Sequence, residues 1–249
     1  MLLAQKALSQ GALGLVLFSA RLLDDEKTAA SAEDRADAAS LLALLTPVTK
    51  TWPSEWAQLS LHHALQIHGG AGYTRDFEIE QLYRDNRLNP IHEGTTGVQG
   101  IDLLGRKIRR DSGLAFGKLA TRIRVSLAHA GVRPELRDAA RSVERALESV
   151  AAAVSALIGQ VDDERALAHA TDFLFAFGHL VVGWLWLEQA LAASAVLERN
   201  DGQFTAPFLQ GRIRACRYFA AAELPKVAAW LEPVLADSDL ALAMSADEF

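Results

Sequence analysis

The sequence is poor in cysteine, in long apolar runs, in positive charge and in alternating patterns, and each shortage excludes something. One cysteine, Cys216, stands among 249 residues. No intramolecular disulfide can form, and a cytoplasmic location is the expectation. The most apolar run, FLFAFGHLVVGWLWL at 173–187, is bounded by Asp172 and Glu188 and contains His179. A membrane span needs roughly 20 apolar residues, so this shorter run predicts a helix buried in a bundle. The opening stretch, MLLAQKALSQGALGLVLFSARLLDD, is interrupted by Lys6 and lacks a clean small-residue cleavage site, unlike a secretory signal. A formal net charge of −6 argues against a nucleic-acid partner and against a polybasic membrane surface. No segment alternates polar and apolar residues over strand length between hairpin turns. His62, His63, His68 and His92 show no His-x-x-x-His spacing with a suitable acid, so no metal site is expected.

What is present has helical period almost throughout. In RPELRDAARSVERALESVAAAVSALIGQ, the residues Leu136, Ala140, Val143, Leu147, Val150, Val154 and Leu157 recur at steps of three and four, which draws one apolar stripe. Pro134 stands where a first-turn proline belongs. The pattern predicts an all-α chain, with helices near 1–24, 34–50, 54–68, 76–88, 95–110, 113–130, 134–159, 163–199, 205–222 and 224–236. Pro47, Pro53, Pro90, Pro134 and Pro207 lie at or near the proposed breaks. DDEKTAASAEDRAD (24–37) reads as a polar loop, and VRPE (132–135) as a joint between domains at 1–131 and 132–249. GHLVVG and the small residues of the second half suggest close helix packing. Cys216 reads as a small core residue, and Arg212, Arg214 and Arg217 as a solvated face or as ion-pair partners of Glu223.

Two places are irregular. HGGAGYTRD (68–76) has three glycines in five residues, which end a helix and let the backbone come close to something. NPIHEGTTG (89–97) puts Glu93 in a short link behind Pro90, with Thr95 or Thr96 able to cap the next helix.

QIHGGAGYTRD, then YRD at 83–85, then the acid in HEGTT and the helix after it together resemble the C-terminal domain of the acyl-CoA dehydrogenase flavoproteins. The ending GVQGIDLLGRKI and the long helical tail resemble the larger branch of that family, which carries an extra helical domain and includes members related to methylmercaptopropionyl-CoA dehydrogenase. The resemblance implies that Glu93 is the catalytic base, removing the α-proton of an acyl-CoA while the β-hydrogen leaves as hydride to FAD. Such a proton is only weakly acidic, so the base must be held in near-attack geometry and away from water. The resemblance further implies flavin contacts at Gln66, Ile67, His68, Gly69 and Gly70, contributed across a subunit interface, and at Thr95, Thr96 and Gly97. Gly94, lacking a side chain, would let the thioester lie against the backbone. Tyr73, Arg84 and Asp85 belong to the same pattern as scaffold. An electron-transfer flavoprotein and a homo-oligomer are the implied partners.

The sequence also departs from the family pattern. His92 stands where Tyr or Trp is common, and Gly100 and Gly105 stand where basic residues are expected. The resemblance starts within the family's architecture, without its N-terminal helical and β-barrel domains. It therefore implies the C-terminal portion of a dehydrogenase, inactive by itself. The alternative reading is a non-catalytic helical dimerisation or interaction module.

Overall fold

The computed structural model describes residues 1–199, 202 and 204–248. Among these residues there are helices and no strand, as the periodicity predicts. Helices α1 (Leu2–Thr28) and α2 (Ala32–His68) form a long antiparallel pair. A 3₁₀ turn (Gly69–Tyr73) and α3 (Ile79–Asn86) lead to the link that holds Glu93. Then come α4 (Thr96–Ile101), a π-helical stretch (Asp102–Arg109), α5 (Leu114–Gly131), α6 (Arg137–Gly159), α7 (Asp163–Leu167) and α8 (Ala170–Arg199). α9 (Ala206–Tyr218) runs into a second π stretch (Phe219–Glu223), followed by α10 (Lys226–Leu235), α11 (Leu240–Ala243) and a terminal 3₁₀ turn.

α8 is the hub of the bundle. It packs against α1, α2, α4, α5, α6, α9 and α10, and from Ala176 to Leu187 every residue is buried. α1 and α8 are each long and apolar enough to cross a membrane by length and composition, but 61% of the apolar window of α8 lies inside the bundle. Fully burying side chains such as Phe173, Phe177 and Leu180 stabilises the fold by about 1.5–3 kcal/mol each. The small residues allow close approach. A Cβ on Gly178 would lie 2.5 Å from the Trp52 ring, and one on Gly183 would lie 2.7 Å from Leu224. The stripe Leu136, Ala140, Val143, Leu147, Val150, Val154 and Leu157 is buried along its whole length. The core is one continuous cluster with members on both sides of residue 131.

Several boundaries differ from expectation. The expected break between 50 and 54 does not exist, because α2 runs through Pro47 and Pro53 for 37 residues. An interior proline costs about 3 kcal/mol. Burial of Leu44, Leu45, Val48, Trp52 and Trp56 on the same helix offsets it. The polar stretch 24–37 is mostly helical and only residues 29–31 connect α1 to α2, with Ser31 Oγ accepting from the Asp34 amide at 2.9 Å. Pro134 precedes α6, which starts at Arg137. The 163–199 helix is two helices, and the expected 95–110 and 205–222 helices each end in a π stretch. The arginines do not pair with Glu223. Arg212 donates to Gln10 and Gln189 and lies over the Phe208 ring, while Glu223 takes Lys226 and His179. Cys216 is buried, and burial pushes its thiol pKa up to about 12.

Candidate active site

Glu93 is exposed and has φ 54°, a left-handed conformation that non-glycine residues seldom adopt. Gly94 follows at φ 93°. Two successive left-handed residues make a sharp corner, which turns the Glu93 side chain out of the bundle. Its carboxylate makes no hydrogen bond or ion pair with any described residue. Backbone strain of this kind persists only where the surroundings enforce it, and here they do. Lys50 Nζ, from α2, donates to the Asn89 carbonyl at 2.9 Å and the Gly94 carbonyl at 2.5 Å. Gln99 Nε2 donates to the Glu93 carbonyl at 3.2 Å. The φ of Gly94 favours glycine, and a Cβ there would lie 2.6 Å from the Gln99 amide nitrogen, displacing the hydrogen bond that this side chain makes to Glu93.

Further bonds tie the rest of the link to α2. Thr96 Oγ1 donates to Glu55. Asn86 Nδ2 donates to the Ser54 carbonyl at 3.1 Å and to Gln58 Oε1 at 2.9 Å, and Gln58 Nε2 reaches the Tyr83 carbonyl at 3.2 Å. The Thr96 amide donates to the Pro90 carbonyl at 3.2 Å. Thr95, not Thr96, caps α4, with its Oγ1 accepting from the Val98 amide at 3.4 Å. Gly97 is half-buried against α8, with Thr171 at 4.0 Å from an added Cβ. His92 is exposed, its Nδ1 3.0 Å from the Leu88 carbonyl.

Gln66, Ile67, His68, Gly69 and Gly70 close α2 and are all exposed. Gly69 has φ 61°, and space is open around Gly69 and Gly70, so their backbone is free to meet a ligand. The structure does not gather this segment and the Thr95–Gly97 segment around one cavity. Gln66 lies about 16 Å further along α2 than Glu55, the partner of Thr96, at 1.5 Å per residue. Five clefts of about 300 to 560 Å³ open elsewhere on the chain, and none is lined by Glu93 or by either segment. Exposed apolar residues flank Glu93 along the chain, at Leu88, Ile91, Val98 and Ile101, and others occur from the end of α2 through α3, at Ile67, Tyr73, Phe77 and Leu82. Tyr73, read as scaffold, is 84% exposed and packs on little within this chain. Arg84 pairs with Glu80 at 2.9 Å, one helical turn away.

Sequence reading missed the anchors Lys50, Glu55, Gln58, Asn86 and Gln99. A signal for some of them was available. Lys50, Ser54 and Gln58 recur every fourth residue on a helix whose other face is tryptophan and leucine.

Comparison with known proteins agrees with the motif. Residues 10–108 match the family described as "Acyl-CoA dehydrogenase, C-terminal domain", and residues 119–245 match "Acetyl-CoA dehydrogenase C-terminal like". The 3-methylmercaptopropionyl-CoA dehydrogenase of Ruegeria pomeroyi is 34% identical over 88% of this chain and 37% of its own length. The broad-specificity linear acyl-CoA dehydrogenase FadE5 of Mycobacterium tuberculosis is 32% identical over 90% and 38%. A crystal structure of an acyl-CoA dehydrogenase complexed with FAD from Bacillus anthracis shares the fold, with a TM-score of 0.70 at 20% identity over 94% of this chain and 41% of that one. The chain belongs to the acyl-CoA dehydrogenase family. It spans well under half the length of these relatives.

Proposed function

We propose that the polypeptide containing this chain oxidises an acyl-CoA thioester to the 2,3-enoyl-CoA, with Glu93 as the base that takes the α-proton. The observation that carries this reading is the Glu93 corner. A carboxylate without a partner among the described residues is turned outward on a left-handed residue, whose backbone is fixed by Lys50 and Gln99. A base that already bonded to its own protein would need to break that bond first, and one on a mobile loop would lose the advantage of positioning. The electron pair that the α-proton leaves on Cα would become the Cα=Cβ bond as the β-hydrogen departs with its own pair as a hydride, which FAD, when bound, would accept. The open backbone at Gly69 and Gly70 fits a contact with such a dinucleotide, and Gln66, Ile67 and His68 share that exposed end of α2. Thr95, Thr96 and Gly97 would lie beside the reacting end. Gly94, lacking a side chain, would let the thioester lie against the backbone.

The exposed apolar residues on either side of Glu93 in the chain, Leu88, Ile91, Val98 and Ile101, support a site completed by further protein, from the same polypeptide and from a second subunit. That cover would exclude water from the base. In this reading the electrons leave to an electron-transfer flavoprotein. The lone buried cysteine fits a cytoplasmic setting.

Two measurements test the proposal. The first is the visible spectrum of the 249-residue chain during FAD titration, read with its mass in solution. Flavin absorbance that survives desalting supports a cofactor contact held by this chain. A colourless dimer that ignores FAD favours the interaction-module reading, in which a second copy covers the apolar surface. The second is Glu93→Gln in the longest polypeptide that contains the chain, assayed with a panel of acyl-CoA thioesters. The expected loss of turnover is about 10²- to 10⁴-fold, and unchanged turnover removes Glu93 as the base.

A further inference from the structure

The segment of α2 that holds the Glu93 corner is weak as a helix. Pro47 and Pro53 lack amide hydrogens, so two backbone bonds are missing within seven residues. Its position therefore depends on side contacts. On one side it offers the side chains of Lys50, Glu55 and Gln58 and the carbonyl of Ser54 to the end of α3 and the link between α3 and α4. Its other face meets a buried polar chain. The Trp52 indole N–H donates to His179 Nδ1 at 3.0 Å. That nitrogen must then be the acceptor, which leaves the imidazole hydrogen on Nε2, 3.4 Å from Glu223 Oε2. Lys226 Nζ donates to the same Glu223 oxygen at 2.6 Å. Trp52, His179 and Glu223 are all buried. Trp56 and Trp230 stand edge-on to the imidazole at 4.6 Å, and the backbone of Gly178 leaves no room for Trp52 to shift toward α8.

A polar chain of this kind is a poor way to gain stability, because apolar residues of similar volume often serve as well or better. Its effect is to allow one arrangement only, since each donor has a single acceptor.

We infer that Trp52 is a positioning residue: held by His179 and Glu223, it fixes the proline-flanked stretch of α2 and, through Lys50 on the opposite side, the Gly94 carbonyl and the direction of Glu93. The catalytic part of this inference rests on Glu93 being the base, whereas the mechanical part does not.

Hydrogen exchange on the 249-residue chain, read by mass spectrometry, tests it. Trp52→Phe keeps an aromatic ring and removes the N–H. Peptides covering 86–96 should exchange about five- to tenfold faster, as expected for loss of one buried hydrogen bond. Peptides covering 114–131 should not change. Lys50→Met should produce the same acceleration from the other side. Glu223→Gln, which keeps the shape and an acceptor for His179, serves if Trp52→Phe does not fold, and should loosen 86–96 in the same direction. Faster exchange confined to 174–182 and 219–226, with 86–96 unchanged, overturns the inference. In the longer polypeptide, Trp52→Phe should lower kcat about tenfold with KM nearly unchanged. If Glu93→Gln keeps full turnover while Trp52→Phe still loosens 86–96, the base assignment fails and the mechanical link stands.

Discussion

α2 and α8 are the two longest helices and could hardly be built more differently. α8 is buried on nearly every side, has no proline, and holds a single polar side chain, His179, in the middle of its apolar run. α2 is buried along one face only, carries two interior prolines, and spends its other face on Lys50, Glu55 and Gln58. Stability concentrates in the first, and the second holds the Glu93 corner to which the proposed function is assigned. A helix buried all round has no surface left for a site. A half-exposed helix with two missing rungs can take the exact bend its neighbours impose, and so can place a loop. His179, the polar residue inside the apolar run of α8, meets α2 between its prolines, where the two roles join.

The largest effects should come from attacking each helix in its own currency. Glu93→Gln, held by α2, should abolish most turnover of the longer polypeptide and leave the melting temperature of the chain within about a degree or two, since its carboxylate has no partner among the described residues to lose. Phe177→Ala in α8 should do the reverse in kind. It removes a fully buried ring and should destabilise the fold by about 3–5 kcal/mol in a denaturant titration.

The polar junction between the helices should show in pH. Burial holds the His179 pKa below its usual value, so the unfolded chain binds a proton that the folded chain refuses. Stability should therefore fall as pH drops below the ordinary histidine value, by up to about 1.4 kcal/mol at pH 5.5. Glu223 acts in the same direction at lower pH. Burial pushes its carboxyl up, but hydrogen bonds from His179 and Lys226 outweigh this and leave its pKa lowered. Its contribution is present above the ordinary carboxylate range and is lost as pH falls through the folded value. Urea midpoints at pH 7.5 and 5.5 check this, and His179→Gln should flatten the difference. The smallest effect should be at the start of α2: Ser31→Ala removes the cap on the Asp34 amide and should cost about 1 kcal/mol.

Much of this was legible in residue order. The 136–157 stripe predicted α6 and its buried face because a period near 3.6 has one structural meaning. The Gly-rich stretch at 68–76 and the HEGTTG corner stood out because glycine and proline act locally. The prolines also misled. Pro47 and Pro53 marked an end to a helix by local rules, whereas burial of Trp52, Trp56 and their neighbours carries α2 through both. The arginines of α9 read as a solvated face or as partners of Glu223; Arg214 and Arg217 are exposed, and the π stretch turns Glu223 inward to His179 and Lys226.

By itself the sequence determined the all-helical class, the family and the identity of the exposed acid, since these depend on periodicity and on a motif contiguous in the chain. Only the tertiary structure decided that Lys50 holds Gly94, that Thr96 binds Glu55 and that Trp52 finds His179 127 positions away. Pairings between distant segments depend on how helices pack, and no local rule encodes how α8 meets a helix that runs through two prolines.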